Sequence, residues 1–330
     1  MAGLNPRQLE AVHYIDGPLL VLAGAGSGKT RVITRKIAHL IRAGGLAPRH
    51  ICALTFTNKA AREMRERAAA ELQGQRRVRA GRAEGRSPGG LTVSTFHTLG
   101  LNMLRRDGAR LGLRPGFSLL DTQDAESLIR EHLRGGSVAG LGPDAVTPPA
   151  IQARISRWKN DLIEPEQAAA AAEDAFEVHL ARLYRDYEQS LRAYNAVDFD
   201  DLILGPVRLL REHPDLLEAW QGRLRYLLVD EYQDTNGAQY ELVRHLVGPR
   251  GALTVVGDDD QSIYAWRGAR PENLVRLKGD YPTLKVILLE QNYRSSGRII
   301  ALANRLIANN PHVFTKRLWS DLGPGDPPRV

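Results

Sequence analysis

The sequence lacks the features of a disulfide-bonded, secreted or membrane-spanning protein. Cysteine occurs once in 330 residues, which excludes an internal disulfide and fits a reducing compartment. No stretch approaches the roughly 18 uninterrupted apolar residues of a membrane span. Residues 1–8 lack the apolar core of a signal peptide. The sequence therefore predicts a cytoplasmic chain with no membrane partner, and it predicts that Cys52, inside the apolar run 51–54, is a buried strand residue.

Acidic residues are fewer than basic ones. There are 45 lysines and arginines against 38 aspartates and glutamates, a formal charge of +7, and the isoelectric point is about 9.6. A basic balance favours polyanionic partners, but it does not distinguish DNA from RNA or acidic lipid.

The apolar runs are short and do not alternate with polar residues. Such runs are typical of strands buried on both faces, as in a parallel sheet covered by helices. Right-handed crossovers between them predict a doubly wound α/β domain with ligands at the carboxyl ends of the strands. The runs are Leu19–Ala23, Ile51–Phe56, Tyr226–Val229, Leu253–Val256 and Val286–Leu289.

The middle of the chain, residues 99–222, has the periodicity of helices, which predicts an all-helical domain inserted in the α/β domain. Apolar side chains recur there at spacings of three and four, as on one buried face of a helix. These side chains belong to Leu180, Leu183, Tyr184, Tyr187, Leu191 and Tyr194.

The segment Gly74–Gly90 contains five arginines and five glycines. It has too few apolar residues to order itself against a core. It is expected to be either a solvated loop or an arm that contacts DNA.

A glycine-rich segment, residues 23–30 with the sequence AGAGSGKT, follows the first apolar run and opens a helical pattern. Glycines let backbone N–H groups approach phosphates, and the helix N-terminus adds its positive dipole end. Lysine and threonine at the last two positions suit the β- and γ-phosphates and Mg²⁺. Ala23 replaces the usual first glycine. The residues expected to hold the nucleotide here are Ala25, Gly26, Ser27, Gly28, Lys29 and Thr30.

Two carboxylates, Asp230 and Glu231, end the apolar run Tyr226–Val229. A triphosphate site needs a carboxylate for Mg²⁺, which Asp230 can supply beside Thr30. It also needs a group that orients and deprotonates the attacking water, and Glu231 is placed for this. The alternative, an acidic helix cap, explains the pair less well in a chain that also carries a phosphate loop.

Seven short motifs in a fixed order make the chain resemble superfamily 1 DNA helicases of the UvrD, PcrA and Rep type. They cover nearly the whole chain, and the thirteen residues from Gly257 to Ala269 are the most specific. The motifs are Leu4–Gln8, Thr55–Ala61, Ser94–His97, Asp198–Leu202, Val229–Asn236, Val255–Ala269 and Gln291–Ser295.

The resemblance implies further nucleotide contacts. Gln8 would recognise the adenine edge with its amide, and Arg31 and Tyr293 would sandwich the adenine ring. Gln261 would contact the γ-phosphate region, and Arg294 would stabilise negative charge in the transition state. Together with Lys29, Asp230 and Glu231, these last two are the expected catalytic residues.

The resemblance also implies a single-stranded DNA track. Bases stack on aromatic rings without regard to sequence, which suits a motor that steps along any strand. Because Gln261 lies three residues before Tyr264, one segment would touch both ATP and DNA. The implied DNA-binding residues are Phe56, Asn58, His97, Phe199, Tyr264 and Trp266.

The resemblance implies a RecA-like motor domain in two parts, 1–98 and 223–283. A helical DNA-binding subdomain would lie between them at 99–222, and a second RecA-like lobe would begin at 284–330. The family's later motifs, including another γ-phosphate arginine, are expected beyond Val330. We therefore expect this chain alone to be weakly active or inactive.

The implied activity is an ATP- and Mg²⁺-dependent 3′ to 5′ DNA helicase in repair or replication restart. Its partners would be single-stranded DNA, DNA with a 3′ single-stranded tail, and repair proteins. Two alternatives stay open: the helicase part of a recombination nuclease, and an ATP- and DNA-binding fragment without turnover. A small-molecule kinase fits poorly, because it explains neither the aromatic motifs nor Asp230-Glu231. The sequence leaves the oligomeric state and the pathway open.

Overall fold

A computed structural model describes residues 3–73, 88–134, 147–265, 268–310 and 314–327. The chain divides into two compact units. The first unit consists of residues 1–95, 218–235 and 246–330, and the second of residues 96–217 and 236–245. Within the described ranges, no helix has the length and apolar character needed to cross a bilayer. Most of the arginine- and glycine-rich segment, residues 74–87, lies outside these ranges.

The first unit is built on a six-stranded parallel sheet with the order β3-β2-β6-β7-β1-β8. Central strands β1, β2, β6 and β7 are buried along their whole length, which explains their uninterrupted apolar sequences. Cys52 is buried in β2, as expected, and burial raises the pKa of its thiol to about 12. The strands are β1 Leu19–Ala23, β2 Ile51–Thr55, β3 Thr92–Thr95, β6 Tyr226–Val229, β7 Leu253–Gly257 and β8 Lys285–Leu289.

Helices supply the other half of the hydrophobic core of this unit. Val32, Ile33 and Ile37 on α2 are fully buried with the strand residues in one cluster. Truncating such a side chain to alanine typically costs about 2–5 kcal/mol. The helices of this unit are α1 Pro6–His13, α2 Lys29–Arg42, α3 Asn58–Gln73, α12 Asn273–Asp280 and α13 Gly297–Ile307, whereas α10 Pro214–Arg223 and α11 Gly237–Val247 each have residues in both units.

Strand β8 corrects one expectation about the end of the chain. A second lobe was expected to begin at residue 284, yet β8 pairs in parallel with β1, with Val21 opposite Ile287. The apolar residues Ile287 and Leu289 are buried in the same cluster as β1. Residues 285–289 are therefore an edge strand of the first sheet and do not start a separate one.

The second unit is rich in helices but is not all-helical, which corrects the expected insertion. Two short strands, β4 Ser118–Leu119 and β5 Ala196–Val197, pair in parallel within it. Isolated two-residue strands carry no periodicity that a sequence pattern could detect. The helices are α4 Phe96–Asp107, α5 Thr122–Arg134, α6 Pro148–Asn160, α7 Pro165–Ala170, α8 Ala175–Ala193 and α9 Asp201–Glu212.

The helical face predicted around Tyr184 and Tyr187 is the buried face of α8. Both tyrosines are buried, as are the leucines at positions 180, 183 and 191, and Tyr184 stacks on Trp158 with ring centroids 5.6 Å apart. Tyr194 is the exception, because α8 ends at Ala193 and leaves Tyr194 as a 61% exposed C-cap residue. The buried face of α8 therefore ends before Tyr194.

Candidate nucleotide and DNA sites

Four neighbouring strands of the first unit, β6, β7, β1 and β8, end in polar segments at the same edge of the sheet. Because all pairs are parallel, their carboxyl ends lie together. The segments that follow these strands contain the phosphate loop, the Asp230-Glu231 pair, the aspartates from Asp258 onward, and Gln291–Arg294.

The phosphate loop is tightly turned and is followed directly by α2. Gly26 and Gly28 have φ angles of 72° and 90°, a left-handed conformation that favours glycine. The Ser27 hydroxyl donates to the Gly24 carbonyl at 2.7 Å, which closes the loop on itself. A Cβ at Gly28 would lie 2.8 Å from the Gln8 amide nitrogen. Glycine is therefore required at position 28 by both conformation and space.

Three of the predicted catalytic residues meet at this edge. The Lys29 ammonium donates to Glu231 Oε2 at 3.0 Å and to Gln261 Oε1 at 3.3 Å. Lys29 comes from the first turn of α2, Glu231 from the end of β6, and Gln261 from the loop after β7. The sheet thus brings together side chains that are 202 and 232 residues apart in sequence.

Glu231 has a strained backbone. Its φ of 50° and ψ of 45° are left-handed, which is uncommon for a residue with a Cβ and costs of order 1–3 kcal/mol. This conformation turns the chain sharply after β6. Gln233 then donates to Glu231 Oε2 at 2.9 Å and fixes the carboxylate beside Lys29.

Asp230 is buried, and its electrostatic surroundings disfavour its charge. Burial and the neighbouring Glu231 carboxylate raise the pKa of Asp230 to about 7, and the same two causes raise that of Asp234 to about 6. A divalent cation would restore the charged form of Asp230. The Asp230 carboxylate and the Thr30 hydroxyl are hard oxygen donors of the kind that Mg²⁺ prefers, so the residues present fit that ion.

Gln8 and Tyr293 lie close to the phosphate loop, and both form hydrogen bonds with Asn5. Gln8 is buried and donates to the Ser27 carbonyl at 2.8 Å, while its oxygen accepts from the Asn5 backbone at 3.1 Å. Asn5 donates to the Tyr293 hydroxyl at 2.9 Å. The amide of Gln8 keeps one further donor hydrogen and one lone pair for a base. Arg31 is exposed, with its guanidinium next to Gly3.

Asn292 joins Arg294 to the phosphate loop. Its amide nitrogen donates to the Ala25 carbonyl at 2.5 Å, and its oxygen accepts from the Arg294 and Ser295 backbones at 2.8 and 2.7 Å. The Tyr293 backbone N–H donates to the Gly26 carbonyl at 2.9 Å. The backbone of the motif around Arg294 is therefore fixed directly on the loop.

The second unit presents one of the predicted DNA-binding pairs. The rings of His97 and Phe199 lie 4.7 Å apart at an angle of 41°, and Phe199 is 56% exposed. Burial lowers the pKa of His97 to about 4, so its ring is neutral at physiological pH. A neutral imidazole beside an exposed phenyl ring offers a stacking surface.

The remaining predicted DNA-binding residues are in the first unit. Phe56 and Asn58 stand where β2 ends and α3 begins, and Tyr264 is 40% exposed in the segment after Gln261. Trp266 lies outside the described residues, so its role stays a prediction.

Sequence reasoning missed two buried polar residues, Gln233 and Asn292. Gln233 bridges the ends of two strands, because its oxygen accepts from the Asp258 backbone at 3.0 Å while its nitrogen holds Glu231. Both residues stand inside motifs that the sequence analysis recognised. Their contacts are made across the sheet edge, so the sequence carried a signal for the motif but none for the partner.

A protein-family model and several known proteins are similar in sequence to this chain. Residues 4–282 match the family model described as the UvrD/REP helicase N-terminal domain. The ATP-dependent DNA helicase Rep of Escherichia coli (strain K12) is 57% identical over 322 residues, 98% of this chain and 46% of that protein. The ATP-dependent DNA helicase PcrA of Bacillus subtilis (strain 168) is 45% identical over 321 residues, 97% of this chain and 41% of that protein.

A third relative is the ATP-dependent DNA helicase UvrD1 of Mycobacterium tuberculosis (strain CDC 1551 / Oshkosh), which is 45% identical over 335 residues. The chain spans less than half the length of each of these relatives. The family model nevertheless matches most of the chain, and residues 4–282 include the phosphate loop, the Asp230-Glu231 pair and Gln261 of the sheet edge described above. The chain belongs to the UvrD/Rep helicase family.

Proposed function

We propose that this chain is the ATP-binding part of a DNA motor that moves 3′ to 5′ along single-stranded DNA and unwinds duplexes with a 3′ tail. The observation that carries the proposal is the convergence of Lys29, Glu231 and Gln261 beside the phosphate loop. Relatives described as ATP-dependent DNA helicases support it, as do the positions of the motifs. The first unit is then the first RecA-like motor domain, and the helix-rich second unit is its DNA-binding insertion.

The chain's own residues suggest a division of labour at the nucleotide. A triphosphate would compete with Glu231 for the Lys29 ammonium, and the released Glu231 carboxylate could take a proton from the attacking water. Gln261 would contact the γ-phosphate, while Arg294 would stabilise developing charge. Asp230 and Thr30 would hold Mg²⁺, which neutralises phosphate charge when bound.

The base would lie between α1 and the segment after β8. Gln8 is buried at the end of the phosphate loop and can offer its amide to adenine, and the Tyr293 ring is held nearby by Asn5. Arg31 would face the other side of the adenine ring.

Single-stranded DNA would be bound mainly by stacking. Phe199 with His97, Tyr264 and Trp266 supply the rings, and Phe56 and Asn58 contribute where β2 ends. The proposed motor would act on DNA in the cytoplasm, with repair proteins as partners. An ATP- and DNA-binding fragment without turnover is a second candidate, because the relatives carry more than half of their length outside the matched region.

Binding of a labelled single strand in the presence and absence of ATP and Mg²⁺ tests the proposal. A motor domain binds DNA with an affinity that depends on the bound nucleotide. Bound DNA then changes the affinity for the nucleotide by the same factor. DNA binding that does not depend on the nucleotide would contradict the proposal, and so would the absence of DNA binding.

A further inference from the structure

Three consecutive aspartates after β7 surround one ammonium group. The Lys316 nitrogen lies 2.6 Å from Asp258 Oδ1, 2.7 Å from Asp259 Oδ1 and 2.6 Å from Asp260 Oδ2. All four side chains are largely buried, with 3–13% of the aspartate side chains and 5% of Lys316 exposed. The ion pairs are therefore shielded from solvent, unlike the exposed pairs that contribute little.

The aspartates need a cation to remain together. Their carboxylate oxygens lie within 4.8 Å of one another, so three negative charges would repel strongly without a positive partner. Burial opposes the charge of Lys316, but hydrogen bonds to the three aspartates outweigh it and raise its pKa. The ammonium thus supplies the positive charge among these three carboxylates.

The backbone around Lys316 is held along the end of β8. Arg317 N–H donates to the Glu290 carboxylate at 2.8 Å, and Trp319 N–H donates to the Glu290 carbonyl at 3.0 Å. Leu318 exchanges hydrogen bonds of 2.8 and 3.2 Å with the Asn304 side chain on α13. The backbone next to Lys316 is therefore held in place by hydrogen bonds.

The cluster connects to the nucleotide site through Asp258. The second carboxylate oxygen of Asp258 accepts a hydrogen bond from Gln261 Nε2. With its nitrogen engaged, Gln261 directs its oxygen at the Lys29 ammonium, 3.3 Å away. A continuous polar chain thus runs from Lys316 through Asp258 and Gln261 to Lys29.

We propose that Lys316 is a positioning residue for ATP recognition, a built-in cation that fixes Asp258 and, through it, the orientation of the Gln261 amide. The inference rests on the proposed function, since it assigns Gln261 to the γ-phosphate. Lys316 should therefore affect the affinity for ATP and not the affinity for ADP, because only ATP carries the γ-phosphate that Gln261 contacts.

The test compares the affinities of the chain for ATP and ADP, each with Mg²⁺, by calorimetric titration. Lys316→Met should weaken ATP binding about tenfold or more, as expected for a lost hydrogen bond in a charged network, and leave ADP binding unchanged. Gln261→Ala should give the same pattern. The double variant should lose no more than either single variant, because both changes break one chain of contacts.

Three further variants separate positioning from folding. Lys316→Arg keeps the charge and should retain most of the preference for ATP. Lys285→Met removes an ion pair to Glu10 on the surface of the same unit and should change neither affinity. If Lys316→Met does not fold, Lys316→Gln combined with Asp259→Asn removes one charge of each sign and should show the same selective loss.

Unchanged affinity for ATP in Lys316→Met would overturn the proposal, as would an equal loss for ATP and ADP in that variant. A wild-type chain that binds neither nucleotide would instead contradict the proposed function itself.

Discussion

At the scale of single residues, the polar groups at the sheet edge hold one another in place. Glu231 is the centre of this arrangement, since its carboxylate accepts from Lys29 and Gln233 and its backbone is left-handed. A residue held in this way is suited to one geometry of attack.

Glu231→Gln should keep or raise the affinity for ATP and abolish hydrolysis. The neutral amide competes less for Lys29, Asp230 still holds Mg²⁺, and the general base is lost. Calorimetry gives the affinity, and single turnovers with excess protein give the hydrolysis rate, expected to fall by orders of magnitude. A collapse of nucleotide affinity in this variant would mean that Glu231 is needed for binding.

Lys36 predicts a pH dependence of stability. It is fully buried on α2 and donates to the Ala11 carbonyl at 2.8 Å and to the Tyr14 carbonyl, and burial lowers its pKa to about 7. Between pH 7 and its ordinary pKa of 10.5, the unfolded chain holds a proton on Lys36 that the folded chain does not. Stability from this group therefore rises with pH across that window and is lost as pH falls through 7.

Urea unfolding at pH 7 and pH 9 measures this effect as the difference between wild type and Lys36→Met, which cancels other titrating groups. The free energy of unfolding of wild type should increase more with pH than that of the variant. Parallel behaviour of the two proteins would show that Lys36 does not titrate in this range.

At the scale of secondary-structure elements, the turn that contains Phe199 is held in place by side chains of α6. Lys159 is fully buried and lies 2.6 Å from Glu188, 2.8 Å from Asp198 and 2.9 Å from Asp201. Asn160 holds the Asp200 carboxylate at 3.0 Å. The carboxylates that precede and follow Phe199 in sequence are thus all held by side chains of α6.

Lys159→Met should destabilise the second unit by about 3–5 kcal/mol, because it leaves buried carboxylates without their cation. Chemical denaturation monitored by intrinsic tryptophan fluorescence measures the loss. A change below about 1 kcal/mol would mean that water or rearranged side chains replace the ammonium.

Phe199→Ala should weaken binding of single-stranded DNA by about 1–3 kcal/mol, with little dependence on base sequence, as expected for lost stacking. Fluorescence anisotropy with homopolymeric oligonucleotides measures it. Tyr194→Ala removes another exposed aromatic ring of the same unit and is the matched control. An effect confined to one base would indicate hydrogen-bond recognition.

The sequence predicted elements well where they are long or fully buried. Five strands correspond to apolar runs, whereas β3, with the sequence TVST, is too short and polar to stand out. Contacts between distant segments were harder to predict. The sequence of residues 285–289 does not indicate that they pair with β1, and no sequence pattern predicts the ion pair between Lys316 and Asp258. Such contacts depend on tertiary placement, which local patterns do not encode.

At the scale of the whole molecule, the chain matches 46% of the Escherichia coli relative and 41% of the Bacillus subtilis relative. Directional movement requires parts that close around DNA and nucleotide. We therefore expect residues 1–330 alone to bind ATP and single-stranded DNA but to unwind no duplex. A strand-displacement assay on a duplex with a 3′ tail checks this, and efficient unwinding would contradict it.

The most direct measurement of the central claim, that the segment 23–30 is an ATP site, is titration of the chain with ATP and Mg²⁺ in wild type and Lys29→Ala. We predict saturable binding of one ATP by wild type and affinity about 10- to 100-fold lower in the variant, from the loss of a charged contact. Lys285→Ala should bind like wild type. Equal affinity of wild type and Lys29→Ala, with both proteins folded, would contradict the assignment of the phosphate loop.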